Sequence, residues 1–312
     1  MELKVAVVIP AYNVELYIEQ AIQSALKQTE VTEVIVVDDG STDHTFKTIQ
    51  SIVDERVKLF QHENGVNKGR GASRNLGIIK ATAPCIAFLD ADDFYLENRF
   101  TKDAEILQDR SIDGCYNAVG FHFYRAPKEE EKQHYKISTL SHPVPPEDLF
   151  ENIVTSKLGY LHLNGLTFKK EVFDQVGLMN VDLRVTQDTD IIFKIAMKCA
   201  LKASSIENPV ALRGVHETNV FYQNDLYKEY TPLMYDSLFS WAIKNDISLQ
   251  MKDQLMNSLW VYRFKQSDSL LKHTAYWLRF FLKFPSLSLY NFPIKYFPLV
   301  RKRKELFSFL YK

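Results

Sequence analysis

The chain is poor in several features that usually declare a function. It has three cysteines in 312 residues, Cys85, Cys115 and Cys199. Their number is odd and their spacing matches no metal-binding pattern. That argues against a disulfide framework and for reduced, buried thiols in a cytoplasmic protein. Net charge is only −1, so a global nucleic-acid signature is missing. No uncharged apolar run reaches the ~18 residues that a membrane-spanning helix needs. The opening MELKVAVVIPAYN has too short an apolar run for a signal peptide and no small-residue cleavage pattern.

What the chain does have is core-forming material, 46% hydrophobic residues over 312 positions. That suits two domains, or one domain with a large appendage. VAVVIP (5–10) is a β-branched run ending at proline and reads as a buried strand. Helical spacing follows over 15–28 in Leu16, Ile18, Ala21, Ile22, Ala25 and Leu26. The pattern then repeats: a strand at 34–38 and a helix from about Thr42, a short strand at 56–61 and a helix over 68–81, and a fourth strand at 85–89. Strands and helices alternating at this pitch predict an α/β protein with a mostly parallel central sheet flanked by helices.

In such sheets ligands bind beyond the carboxyl ends of the strands. Strand one ends in Pro10-Ala11-Tyr12-Asn13, strand two in Asp38-Asp39-Gly40-Ser41, and strand four in Asp90-Ala91-Asp92-Asp93. Acids gathered at one rim repel each other unless a cation joins them. Oxygen ligands suit Mg2+ or Mn2+, which bind through one or two carboxylates plus substrate phosphates. A lone D-x-D is weak by itself, and Asp188-Thr189-Asp190 is a second one here. Asp38 and Asp39 would also suit a turn, and Asp93, Asp188 or Asp190 a helix cap.

VVIPAYN, VDDGSTD, GASRNLG and FLDADD, in this order and spacing, resemble a glycosyltransferase family 2 enzyme, an inverting transferase of GT-A fold like those that build bacterial surface polysaccharides. The resemblance covers roughly residues 3–215 and rests on several motifs together. It implies that Asp92 holds the metal (Mn2+ or Mg2+), with Asp90 near the metal or the ribose. It also implies that Asp39 accepts the uracil ring N–H of a UDP-sugar donor, within a nucleotide site of Pro10, Ala11, Tyr12, Asn13, Arg74 and Ala91. GDP- and dTDP-sugars also carry ring N–H groups and stay open as donors. Arg74 would face the nucleotide, a guanidinium being suited to phosphate, with Lys68 and Arg70 as neighbouring candidates.

Inverting transfer to a hydroxyl needs a carboxylate base. RVTQDTDIIFKIAMK (184–198) resembles the segment that supplies it, with Asp188 as the base ahead of Asp190. Gln187 stands where the family commonly has Glu, a departure that puts the supporting role of that position in doubt. His162 and Asn164, with Gln187, are expected at the acceptor. His216, in ALRGVHETNV, is expected at the diphosphate or metal.

The stretch 125–150 is charged and then proline-rich, without an apolar period, and reads as a hairpin or flexible loop. Domains are expected at 1–100 (donor half), 101–222 (acceptor half) and 223–312 (a helical C-terminal extension). Residues 270–312 carry nine Lys/Arg against Glu305 alone, and twelve aromatic residues. Leu270, Thr274, Trp277, Phe281 and Phe284 share one helical stripe, widened by Tyr276 and Phe280. Basic residues among aromatics predict contact with a membrane surface, with a helical subdomain or homodimer interface as the alternative. The acidic remainder of the chain speaks against nucleic acid.

The expected function is transfer of a sugar from a nucleotide-sugar to a saccharide or lipid-linked saccharide, in the cytoplasm or on the inner face of the cell membrane. A nucleotidyltransferase would need a Gly-rich, basic loop after strand one, and AYNVELY is neither. A degenerate, non-catalytic glycan-binding or scaffold protein would not need Asp39, Asp90, Asp92 and Asp188 all in place.

Overall fold

The computed structural model describes residues 2–217, 219, 222–266 and 269–306. The chain divides into two compact units, Met1–Met234 and Tyr235–Lys312.

Among the described residues the first unit has ten strands: β1 (Val5–Ala11), β2 (Val31–Asp38), β3 (Val57–Gln61), β4 (Cys85–Phe88), β5 (Phe94–Tyr95), β6 (Gly114–Tyr116), β7 (Ala118–Phe123), β8 (Leu166–Lys169), β9 (Leu201–Ala203) and β10 (Pro209–Val215). Seven form one sheet in the order β3-β2-β1-β4-β8-β6-β9. Every pairing in it is parallel except those of β8, which runs antiparallel to both β4 and β6. A smaller sheet has the order β5-β10-β7. This is the mostly parallel α/β architecture that the sequence predicts.

The apolar runs of β1, β2 and β4 are buried along nearly their whole length, because a parallel sheet is covered on both faces. On one face Val5, Val7, Ile9 and Ala11 join Ile18, Ala21, Ile22 and Ala25 of the helix Ile18–Leu26 in a single core. On the other face Val8 meets the helix Arg70–Lys80 at Gly77, where a Cβ would stand 2.3 Å from Val8 Cγ1. That close approach brings Arg74, one turn earlier, to the end of the strands.

The stretch 125–150 is more ordered than its composition predicts. It contains the helix Glu129–His134, and the helix Pro146–Val154 begins within it. Three glutamates in the first turn complement the helix dipole. Arg125 Nη1 and Nη2 donate to Glu131 at 2.8 and 2.5 Å, and Tyr222 Oη donates to the same carboxylate at 2.8 Å. Ion pairing fixes a segment that has no apolar period to announce it.

The second unit is helical: the C-terminal part of Asn224–Lys244, then Leu249–Gln266, Leu270–Lys283 and three short helices from Phe292 to Leu306. Its core is aromatic, with Phe239, Trp260, Phe280, Phe281, Phe284, Phe292 and Tyr296 all buried. Most of the aromatic stripe read from the sequence is therefore the inner face of this unit. The end of the tail, 307–312, lies outside the described residues. No described helix is long and apolar enough to cross a membrane.

Candidate active site

The ends of β1 and β2 are stitched together. The backbone N–H of Asn13, a residue at φ 51°, donates to Ser41 Oγ at 3.0 Å, and its Oδ1 accepts from Thr42 N at 2.8 Å. Asp39 N donates to Ala11 O at 2.8 Å. Gly40 has φ 78°, and a Cβ there would stand 2.4 Å from Gly65 O, so only glycine fits this turn. The segment after Gly65 can then close on Asp39. Lys68 N donates to Asp39 Oδ1 at 2.7 Å and Gly69 N to Oδ2 at 2.8 Å. His62 Nε2 stands 3.4 Å from Oδ1, and since a carboxylate oxygen has two acceptor positions, Oδ2 keeps one for a further donor.

Beyond β4, the three acids meet different surroundings. Arg74, 1% exposed, donates through Nη2 to Asp90 Oδ1. Burial pushes the Asp90 carboxyl up, but nearby positive charge, Arg74 foremost, outweighs burial and holds it well below the usual carboxylate range. Arg74 Nε and Nη1 are buried and have no hydrogen-bond partner among the described residues. An unpaired buried donor costs about 1–3 kcal/mol, and an anion beside Arg74 would remove that cost.

Asp92 Oδ2 lies 2.8 Å from His216 Nε2 and 3.2 Å from Asn219 Nδ2. The His216 ring stacks on Tyr17, with centroids 5.0 Å apart and 17° between planes. Asp93 does not cap a helix. Its Oδ1 accepts from Gly214 N at 2.7 Å and its Oδ2 accepts from Asn164 Nδ2. Burial, followed by the charges of Asp92 and Asp90, pushes its carboxyl well above the usual range.

Asn164 departs from its expected place at the acceptor. It has no exposed surface, and its Oδ1 accepts from Asp90 N at 3.2 Å. With Asp93 it fixes the turn that presents Asp90 and Asp92. Gln187 is also buried, 1% exposed, and packs under the start of the helix Arg70–Lys80, where a Cβ at Gly71 would lie 3.4 Å from Gln187 Cγ. His162 does face the cavity. Burial first and the charge of Arg213 second push its imidazole down to about 4, so it is neutral at pH 7.

Asp188 opens the helix Gln187–Lys198 and faces the same cavity. Asp190, one half-turn on, points inward and pairs with Lys194 at 2.5 Å. The two acids left open by the sequence are thereby separated.

One cavity of about 670 Å³ is lined by Pro10, Ala11, Tyr12, Asn13, Asp39, Arg74, Asp90, Ala91, Asp92, His162, Asp188 and His216. Asn164 and Gln187 are the two expected site residues outside its lining. It is also lined by Tyr17, Arg184, Arg213, Asn219 and Tyr227, which sequence reasoning did not single out. Arg184, Arg213 and Asn219 lie inside stretches already marked by their neighbours. Tyr17 and Tyr227 look like ordinary helix residues and carry no signal.

Carboxylates, the donors suited to Mn2+ or Mg2+, meet an imidazole at two places. Donor atoms of Asp90, Asp93 and His162 lie within 4.8 Å of one another. A cation there would adjoin the Arg74 guanidinium, and both Asp93 oxygens already accept hydrogen bonds. Asp92 Oδ2 is engaged by His216 and Asn219, but its Oδ1 accepts no hydrogen bond among the described residues, which leaves Asp92 the better placed carboxylate for a divalent cation.

The chain is similar to several known proteins. A stretch of 106 residues, 33% of the chain, is 40% identical to an uncharacterised glycosyltransferase of Haemophilus influenzae and covers 42% of that protein. Another of 113 residues, 36% of the chain, is 34% identical to the Escherichia coli UDP-Glc:α-D-GlcNAc-diphosphoundecaprenol β-1,3-glucosyltransferase WfgD and covers 44% of it. The chain thus spans less than half the length of these two relatives. The Staphylococcus aureus TarS fragment 1–349, solved in complex with UDP-GlcNAc, shares the fold with a TM-score of 0.58 at 18% identity, over 82% of this chain and 80% of that one. The fold is GT-A. The profile of "Glycosyl transferase family 2" matches residues 6–177, more than half of the chain and all three strand ends that shape the cavity, and the protein belongs to that family.

Proposed function

We propose that the protein is an inverting, metal-dependent glycosyltransferase that moves a sugar from a UDP-sugar to a hydroxyl of a saccharide or lipid-linked saccharide in surface polysaccharide synthesis. The observation that carries this reading is the convergence of Asp39, Asp90, Asp92 and Asp188 on one cavity of about 670 Å³, a volume in the range of small-molecule sites.

In this reading the base lies between Tyr12 and Asp39, whose Oδ2 takes the uracil ring N–H. The diphosphate lies against Arg74, whose unpaired donors meet its oxygens, with Lys68 and Arg70 on the same wall. Asp92 and His216 would hold the cation, with Asp90 beside them. When bound, a divalent cation supplies Lewis-acid stabilisation of the departing diphosphate. Asp188 removes the proton from the acceptor hydroxyl as it attacks the anomeric carbon opposite the leaving group, which inverts that centre. His162, neutral at pH 7, offers the acceptor a hydrogen bond without adding charge beside Asp188. The activity that the name of WfgD gives, glucosyl transfer to a diphosphoundecaprenol-linked sugar, supports a lipid-linked saccharide as the acceptor class.

The test is UDP release from a panel of UDP-sugars with saccharide and lipid-linked acceptors. The Asp188→Asn variant is expected to keep donor affinity and to lose about 10²–10⁴-fold in turnover. Turnover at the wild-type rate in that variant would remove Asp188 as the base.

A further inference from the structure

The helix Leu270–Lys283 is apolar on two faces. Its inner face supplies His273, Phe280 and Phe281 to the core of the second unit. On the outer face Leu271 is 80% exposed, Leu278 53% and Leu282 72%, and Ala275 is exposed between them. Positions 271, 275, 278 and 282 follow the i, i+4, i+7, i+11 spacing of a single stripe. One position round from it run Lys272, Arg279 and Lys283, all exposed. The segment that follows adds Leu289 at 83% and Ile294 at 73%, and Lys295 beside them.

Single exposed leucines are ordinary on a protein surface. A row of them with no function in the fold, edged by cations, is not. Lys283 pairs with Asp236 at 2.7 Å and Lys295 with Asp253 at 2.5 Å. Lys272 and Arg279 have no acidic partner among the described residues. No acidic residue interrupts the helix, and between residues 270 and 306 the sequence has one acid, Glu305, against eight Lys/Arg. A second copy of the chain is a poor occupant. A two-fold contact through this face brings the same surface to both sides, and the cationic edges would then oppose each other. An anionic lipid surface satisfies both halves of the pattern, taking the leucines into the acyl boundary and the Lys/Arg row at its headgroups.

We propose that the outer face of the helix Leu270–Lys283 is a docking surface for an anionic membrane, in which Leu271, Leu278 and Leu282 insert and Lys272 and Arg279 contact lipid phosphates. The buried aromatics of the same helix hold it to its unit and do not enter the lipid. This inference stands on surface chemistry alone and does not depend on the donor site.

The test is co-sedimentation of the full chain with vesicles of phosphatidylcholine and phosphatidylglycerol in equal parts, and with pure phosphatidylcholine. Binding to the anionic vesicles is expected to be at least about tenfold stronger than to the neutral ones and to weaken with salt. L278E/L282E and K272E/R279E are each expected to weaken it at least about tenfold. These side chains are exposed, so the variants are expected to unfold at the wild-type temperature. Absence of binding to anionic vesicles, or undiminished binding by L278E/L282E, would overturn the proposal. So would a wild-type dimer in sedimentation velocity that L278E/L282E converts to monomer, which would assign the stripe to a contact between copies.

Discussion

Asp90, Asp92 and Asp93 differ by what lies within a few ångströms of each. Arg74 neutralises Asp90, His216 and Asn219 face Asp92, and Asn164 with Gly214 N engages Asp93. Replacing Arg74 tests how much of the site it sustains. Lysine keeps the charge but loses the planar fork that serves Asp90 and, in the proposed function, an anion together. Arg74→Lys is expected to weaken UDP binding at least about tenfold and to lower the melting temperature, as read by calorimetric titration and thermal unfolding. Glu33 gives a test away from the site. Burial pushes its carboxyl up, but hydrogen bonds from Lys58, Thr82 and Ala83 outweigh burial and bring it down to about 2. A lowered carboxyl stabilises the fold above its unfolded value and loses that contribution as pH falls from about 4.5 toward 2. Glu33→Gln is therefore expected to cost about 1–2 kcal/mol at pH 7, since solvent screens the partly exposed Lys58 partner, and progressively less on acidification below pH 4.5, measured by urea unfolding across pH.

Residue identity made the acids legible in the sequence, because strand-end position and motif order mark them without reference to neighbours. It did not separate the roles of Asn164 and His162. Both are polar, two positions apart, and one faces the cavity while the other is sealed beneath it. That difference is set by Asp90 and Asp93, more than seventy positions earlier in the chain. Gln187 was misplaced for the same reason, since the helix that covers it begins at Arg70.

Among the elements, the helix Arg70–Lys80 couples stability to the site. It rests on β1 at Gly77 because no Cβ intervenes, and it carries Arg74. Gly77→Ala forces strand and helix apart by overpacking, at an expected cost of about 1–3 kcal/mol. It also displaces Arg74, so UDP affinity is expected to fall together with stability. An unchanged affinity in a destabilised variant would show that the helix position does not control the site. The strands and helices of the first hundred residues were readable because each carries a clean period. The helix Glu129–His134 was not, because charge pairing fixes it and pairing leaves no period. The helix Leu270–Lys283 was half legible: spacing showed an apolar stripe, but only the fold shows that the aromatics point inward and the leucines outward.

At the level of the whole molecule, the sequence predicted a mostly parallel sheet with its ligand rim at the strand ends, and β3-β2-β1-β4 is that sheet. It could not place β8 between β4 and β6, since an antiparallel insertion depends on pairing across the chain and four residues carry no direction. Yet β8 matters to the shape of the cavity. The loop preceding it delivers His162 to the cavity and Asn164 to the turn that holds the acids. The proposed function therefore requires that these strand ends together bind a nucleoside diphosphate through a cation held at Asp92 and His216. Calorimetric titration of UDP in the presence of Mn2+ tests it most directly, repeated in EDTA and with Asp92→Ala. The account predicts binding with Mn2+ that disappears in EDTA and in the variant. Equal affinity in all three, or no UDP binding in any, would contradict it.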